Sequence, residues 1–426
     1  MQRNALLKLL KWLKISGVCK MEIKQILMGL NGDEAVAYAI KQVDPDVVAA
    51  YPITPQTIIV ERFSEYVADG EVHTEFISVE SEHSALSACV GAAAAGARAF
   101  TATAANGLAL MWEILYIAAS CRLPIVMAIV NRALSGPINI HPDHSDAMGA
   151  RDSGWIQIFC ENSQEAYDST IQAWRIAEHP DVQLPVMVCL DGFVLGHTLE
   201  NVMTLPDEVV KKFIGERKFV TVRNHFGKEV PFILDPENPI TIGPLDLYDF
   251  YFEHKMQQIH AMENAPRVIE EVGKEYGKIS GRTYGLVHPY KLEDAEIAII
   301  GLGSTMGTAK IVVDRLREKG IKVGLLRIRS FRPFPAQQII EHLKDKKVIG
   351  VLDRAASFGA YGGPLFNEVR NAFYDQDVKP LISNYIYGLG GRDMPPQRLM
   401  IIFEDLQKIM ETKRIEKTVK YIGVRE

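Results

Sequence analysis

Three side chains of complementary chemistry stand where apolar, strand-like runs of the chain end. Thr54 closes Val47–Thr54, Glu82 follows His73–Val79, and Arg132 follows Leu123–Val130. In open α/β sheets, ligands gather outside the carboxyl ends of the strands, so residues at three such ends can share one crevice. A hydroxyl, a carboxylate and a guanidinium on one sheet edge suit a small anionic substrate beside a cofactor that needs a proton partner. Asn106-Gly107 lies on the same predicted edge and is a further candidate, as a cofactor contact or a support for the trio.

The elements that must position these residues follow from periodicity. The sequence predicts helix Gly32–Val43, helix Thr57–Val67, helix Glu82–Ala95, strand Ala97–Thr103, helix Gly107–Ser120, strand Trp155–Cys160, helix Ser163–Ala177 and strand Pro185–Asp191. The strands are continuous apolar runs, as expected of a parallel sheet covered on both faces. The Ala- and Gly-rich stretch Gly91–Gly96 predicts close packing of its helix against another backbone. Residues 197–240 are mixed and Pro-punctuated and are expected to wrap the first domain irregularly. A helix over 247–278 is expected to break at Pro266. A second alternation of strands and helices then runs from Ala295 to Thr412, giving a smaller doubly wound domain.

Composition narrows the class. The chain has 426 residues, 47% hydrophobic and 23% charged, with a formal net charge of −6, which is ordinary for a globular protein and carries no nucleic-acid footprint. On about 150 residues per domain, two or three domains are expected. The five cysteines (Cys19, Cys89, Cys121, Cys160 and Cys189) are scattered, which fits reduced thiols in a cytoplasmic protein and leaves no Cys-x-x-Cys iron–sulfur or zinc motif. Met1–Lys20 carries five basic residues, no acid and interrupted leucines. It is too short in apolar run to span a bilayer and is read as a basic extension, with Met21 as the functional start. The expected division is 1–20 extension, 21–265 first domain with its wrapping extension, 266–412 second domain and 413–426 tail.

Two patterns invite other chemistry. Gly301-Leu302-Gly303-Ser304-Thr305-Met306-Gly307 joins a strand to a helix, but its spacing is one residue too long for a dinucleotide fingerprint and no acid follows at the next strand end. His141, Asp143, His144 and Asp146 resemble a metal site by composition; packing and loop roles are expected instead.

The motifs, taken in order, identify a family. Tyr51-Pro52-Ile53-Thr54-Pro55, Glu80-Ser81-Glu82-His83, Thr101-Ala102-Thr103 with Asn106-Gly107-Leu108, Asn131-Arg132-Ala133 and Asp143-His144-Ser145-Asp146 resemble the alpha subunit of the 2-oxoacid:ferredoxin oxidoreductases, closest to the pyruvate-using form. Arg332-Pro333-Phe334-Pro335, Val351-Leu352-Asp353-Arg354, Ser357-Phe358-Gly359 and Gly388–Asp393 extend the likeness through the second domain, from about Met21 to Lys408. The resemblance implies an α/β fold: a doubly wound thiamine-diphosphate domain of the pyrimidine-binding type, then a smaller transketolase C-terminal-like domain. It implies that Glu82 serves the aminopyrimidine N1′ of thiamine diphosphate, that Arg132 forks the substrate carboxylate, and that Thr54 binds the substrate. Glu75 and Glu80 are rival carboxylates.

The resemblance further implies a beta subunit holding the diphosphate and Mg²⁺, gamma and delta partners, [4Fe–4S] clusters in partner subunits, coenzyme A as co-substrate and ferredoxin as acceptor. The absence of a Gly-Asp-Gly segment followed by Asn, and of clustered cysteines, agrees with that division. Gly388–Asp393 is read as a turn that faces coenzyme A, a neighbouring subunit or only its own domain. Another 2-oxoacid as substrate, or a non-catalytic interaction subunit, are the alternatives.

Overall fold

The computed structural model describes residues 23–425. The expected basic extension over 1–20 lies outside the described residues. Two mostly parallel sheets carry the fold, each flanked by helices, and the α/β expectation holds.

The first sheet has seven strands: β2 (Val47–Ala50), β3 (Glu75–Ser78), β4 (Ala99–Thr103), β5 (Val126–Asn131), β6 (Ile156–Phe159), β7 (Val186–Asp191) and β14 (Ser330–Arg332). Their order is β14-β6-β7-β5-β4-β2-β3, all parallel except the antiparallel β14–β6 pair. β4 to β7 are buried along their whole length, which is why they read as unbroken apolar runs. Helix Gly32–Val43 starts with a capping box: the Asn31 side chain accepts from the Glu34 amide and Glu34 accepts from the Asn31 amide.

The second sheet contains β11 (Val287–Tyr290), β12 (Ile297–Gly301), β13 (Val323–Ile328), β15 (Val348–Asp353), β16 (Leu381–Tyr387) and β17 (Val419–Ile422), in the order β11-β13-β12-β15-β16-β17. Only β11 runs antiparallel to its neighbour.

Several expectations are corrected. The strand expected to run to Thr54 ends at Ala50, because Pro52 and Pro55 cannot donate to a ladder; Thr54 stands in the turn before helix Thr57–Ala68. Helix Gly107–Ser120 is two helices, Ala105–Leu110 and Trp112–Ser120. Residues 197–240 are not wholly irregular: β8 (Glu200–Thr204) pairs antiparallel with β1 (Ile26–Leu30), helix Asp207–Ile214 follows, and β9 (Thr221–Arg223) pairs with β10 (Glu229–Pro231). The helix Tyr251–Ser280 continues through Pro266, and the expected boundary at 265/266 falls inside it. Burial of Ala265, Val268, Ile269, Val272 and Tyr276 outweighs a proline cost of about 3 kcal/mol. The expected tail, 413–426, contains β17, which closes an edge of the second sheet. The stretch Gly91–Gly96 does meet another backbone at its far end, where the Leu234 amide donates to the Ala94 carbonyl at 2.8 Å, whereas a Cβ at Gly91 would meet nothing within 4 Å.

The two halves are joined through buried charge. β14, from the second half of the chain, completes the first sheet. Beside it Glu165 accepts from Arg327 at 2.8 and 3.1 Å and from Arg329 at 3.0 Å, and Lys310 bonds Glu161 at 2.6 Å. Burial alone would push the Glu165 carboxyl up, but Arg327 and Arg329 outweigh it and hold it below its ordinary value.

Candidate active site at the carboxyl edge of the first sheet

β5, β4, β2 and β3 are neighbours, so the residues that follow them share one edge. Arg132 comes one residue after β5. Helix Ala105–Leu110 follows β4, Thr54 follows β2, and Glu82 opens the helix after β3.

Glu82 is buried, 7% exposed, at the first position of helix Glu82–Ala94. The Ser81 hydroxyl caps that helix by accepting from the Ser84 amide at 3.3 Å, so the macrodipole and the cap both favour a carboxylate here. Gly107 packs directly on it: a Cβ at this glycine would lie 2.7 Å from Glu82 Oε1 and would also strike the Thr103 hydroxyl. The Thr103 hydroxyl is buried without a hydrogen-bond partner among the described residues. The rivals stand in different surroundings. Glu75 is exposed in β3, and Glu80 is exposed and bonded by the Ser84 hydroxyl, which holds its carboxyl below the ordinary value.

Arg132 is also 7% exposed. Its Nε donates to the Asn139 carbonyl at 3.0 Å and its Nη1 to the Thr54 carbonyl at 2.9 Å. A guanidinium has five N–H donors in a planar fork, so these two bonds orient it and leave its Nη1–Nη2 end able to grip a carboxylate. Thr54 is exposed and contributes its backbone carbonyl to that anchor. Buried Gln56 ties the Thr54 turn to the sheet, its Nε2 donating to the Ala102 carbonyl at 2.6 Å and the Tyr51 carbonyl at 3.1 Å. Asn106 is exposed and accepts from the Ser135 amide at 3.2 Å, linking the Glu82 side of the edge to the loop after Arg132.

The second half of the chain braces this loop. Asn139, whose carbonyl holds Arg132, donates from Nδ2 to the Gly390 carbonyl at 3.0 Å. Gly390 N donates to Asp143 at 3.1 Å and Gly391 N to the Pro142 carbonyl at 2.8 Å. Gly390 and Gly391 have φ of 56° and 78°, and a Cβ on either would collide with Asn139 or His141. In this structure the Gly388–Asp393 turn therefore packs against the Arg132 loop.

The remaining sequence patterns resolve into packing. His144 Nε2 pairs with Asp191 at 2.7 Å, Arg354 reaches the same carboxylate at 3.0 Å, and the Ser304 amide and hydroxyl donate to it as well. Burial would raise the Asp191 carboxyl, but Arg354, His144 and Ser304 hold it far below its usual range. Gly303, with φ 69°, leaves room for Asp191 and His144, so the Gly301–Gly307 turn clasps the two halves together. No cluster of His, Cys, Asp and Glu able to hold a metal occurs among the described residues.

Comparison with known proteins decides the family. The model described as pyruvate flavodoxin/ferredoxin oxidoreductase, thiamine diphosphate-binding, matches residues 38–274, and the pyruvate:ferredoxin oxidoreductase core domain II matches 295–399. The chain belongs to the pyruvate flavodoxin/ferredoxin oxidoreductase family. It is 59% identical over 399 residues to pyruvate synthase subunit PorA of Thermotoga maritima, covering 94% of this chain and 98% of that one. It is 48% identical to the PorA subunit of Methanocaldococcus jannaschii (93% and 98% covered) and 44% identical to ketoisovalerate oxidoreductase subunit VorA of Pyrococcus horikoshii (94% and 99% covered). A solved 2-oxoglutarate:ferredoxin oxidoreductase from Magnetococcus marinus, with 2-oxoglutarate, coenzyme A and succinyl-CoA bound, superposes with a TM-score of 0.71 at 21% identity. That match covers 91% of this chain and 65% of the other. Its likeness is one of fold. A transketolase from a split gene superposes at 0.50, in keeping with a transketolase-like architecture. The first half of the chain is thus a thiamine diphosphate-binding domain, and the relatives are subunits of multi-subunit enzymes.

No helix among the described residues is long and apolar enough to cross a membrane. Sequence reasoning missed Asn139: nothing in its type or spacing marks it, because its part is played by a backbone carbonyl and by a contact across the chain.

Proposed function

We propose that the chain is the alpha subunit of a cytoplasmic pyruvate:ferredoxin oxidoreductase, and that Glu82, Arg132 and Thr54 are its contribution to the active site. The reaction is coenzyme A-dependent oxidative decarboxylation of pyruvate to acetyl-CoA and CO₂ with electrons passed to ferredoxin, or its reverse. The observation that carries this reading is the Arg132 guanidinium, anchored at 3.0 and 2.9 Å by two carbonyls on the edge where Glu82 is buried.

Each residue type fits its part. The Glu82 carboxylate sits over a bare glycine and an unpartnered threonine hydroxyl, a cradle suited to the edge of an aminopyrimidine ring. There it holds the proton at N1′. Thiamine diphosphate, when bound, supplies the nucleophilic carbon and the electron sink for loss of CO₂. Arg132 orients the substrate by its carboxylate, Thr54 offers a hydroxyl at the mouth, and Asn106 supports the edge from outside.

The diphosphate, Mg²⁺ and [4Fe–4S] clusters belong to beta, gamma and delta subunits. Leu110, Trp112 and Ile117, 51%, 46% and 38% exposed beside the Glu82 helix, suit a covering partner. The division of the chain follows the two sheets: a pyrimidine-binding unit, and a transketolase C-terminal-like unit that braces the Arg132 loop, with helix Tyr251–Ser280 between them. Assay of the reconstituted complex against a panel of 2-oxoacids tests the substrate. Pyruvate should show the highest kcat/KM, and the isolated chain should reduce no viologen and show no iron–sulfur absorbance. Preference for 2-oxoisovalerate, or pyruvate-dependent viologen reduction by the single chain, would overturn the reading.

A further inference from the structure

Asp146 is enclosed in the first half of the chain, and its carboxylate is saturated by four N–H donors. Oδ2 accepts from the Arg132 amide at 2.9 Å and the Ala105 amide at 3.0 Å; Oδ1 accepts from Asn131 Nδ2 at 2.8 Å and the Ala147 amide at 2.7 Å. These donors come from different arms of the site. Asn131 and Arg132 end β5 and carry the guanidinium. Ala105 begins the helix whose Gly107 lies against Glu82. Ala105 has φ 42°, the left-handed region that a residue with a Cβ enters at a cost, so its amide needs a fixed partner to stay there.

We propose that Asp146 is a positioning residue that sets the substrate-carboxylate arm, Arg132, against the cofactor-carboxylate arm, Glu82. The proposal rests on the roles given above to those two residues. Only an ionised carboxylate accepts from four donors at once. An asparagine of the same shape turns an NH₂ toward two N–H groups in either flip. The neighbouring amides would then shift, and both arms with them.

The test is a double-mutant cycle in the reconstituted, cofactor-loaded complex. Wild type, Arg132→Ala, Asp146→Asn and the double variant are compared for pyruvate kcat and KM and for thiamine diphosphate affinity. Asp146→Asn should lower kcat/KM about 10- to 100-fold, the usual effect of losing a supporting contact behind a site residue, with most of the loss in KM. In the Arg132→Ala background the same change should cost clearly less than it does in wild type, the remainder coming from the Glu82 arm, because contacts that act through one another are not additive. Cofactor affinity should weaken in Asp146→Asn but not in Arg132→Ala, since only Asp146 also holds Ala105.

Losses that multiply in full would overturn the positioning role while leaving the Arg132 assignment intact. An Arg132→Ala enzyme with normal kcat/KM would overturn that assignment itself. If Asp146→Asn does not assemble, Asn131→Ala removes one donor and keeps the carboxylate. It should show a smaller loss with the same non-additivity, and a fully additive loss there is equally contrary.

Discussion

Arg132 donates from Nη1 to the backbone carbonyl of Thr54 at 2.9 Å, so the guanidinium and the hydroxyl-bearing turn are one unit rather than two independent contacts. The bond joins the ends of β5 and β2 across β4, which lies between them in the sheet. The bond uses only the Thr54 carbonyl, so the hydroxyl proposed to meet the substrate takes no part in the anchor.

That separation fixes the order of two variants. Arg132→Ala should cost about 2–5 kcal/mol in transition-state binding for every 2-oxoacid, because all share the carboxylate it grips. Thr54→Ala keeps the carbonyl and should cost about 1–3 kcal/mol, the loss of one hydrogen bond. Steady-state kcat/KM with pyruvate and 2-oxoisovalerate checks both. A Thr54→Ala loss larger than that of Arg132→Ala contradicts the assignment.

Gly107→Ala tests the cradle. The added Cβ would lie 2.7 Å from Glu82 Oε1, too close for either group to stay in place. Thiamine diphosphate affinity should fall by about tenfold or more, since a displacement of about 1 Å at a positioned group has effects of 10²-fold. Titration of cofactor into the apo complex measures it, and an unchanged affinity would mean that the Glu82–Gly107 contact does not form part of the cofactor site.

Two buried aspartates should respond to pH in opposite senses. Burial pushes the Asp353 carboxyl from its ordinary 3.8 up to about 6, although the Leu365 and Phe366 amides and Asn384 bond it. Folding therefore takes up a proton in that interval, and the stability linked to it is full below about pH 4 and lost as pH rises towards 6. Asp191 is held far below its ordinary value by Arg354, His144 and Ser304 against the effect of burial. Its contribution is present at neutral pH and lost as pH falls below the ordinary carboxylate value. The Tm gap between wild type and Asp353→Asn should shrink from pH 4 to 7. The gap to Asp191→Asn should widen as pH rises from 3 to 5. Slopes of the same sign would contradict the two environments.

Much of this was legible in the chain itself, for identifiable reasons. Strands buried on both faces print as apolar runs, so β4, β5 and β7 were placed to within a few residues. Arg132 follows directly on such a strand, and Glu82 opens the helix after the partly exposed β3. What escaped was set by tertiary contact. β1, β8 and β17 are short, partly exposed edge strands with no distinctive period. β14 is three residues long and belongs to a sheet built almost entirely from the other half of the chain. Pro266 reads as a helix break, yet packing overrides it. The Gly301–Gly307 turn, set aside as a dinucleotide fingerprint by its spacing, is a clasp in which Gly303 makes room for Asp191 and His144; that contact across the chain is what the sequence does not show.

If the buried Glu82 carboxylate serves the aminopyrimidine proton of thiamine diphosphate, the assembled complex carrying Glu82→Gln should show it. Turnover of pyruvate with coenzyme A and cofactor occupancy are measured on the same preparation. Occupancy should be mostly retained and turnover lowered by about 10²–10⁴, the usual worth of general acid–base catalysis. A change in turnover below threefold at full occupancy would contradict it and return Glu82 to the part of an ordinary residue in the first turn of a helix.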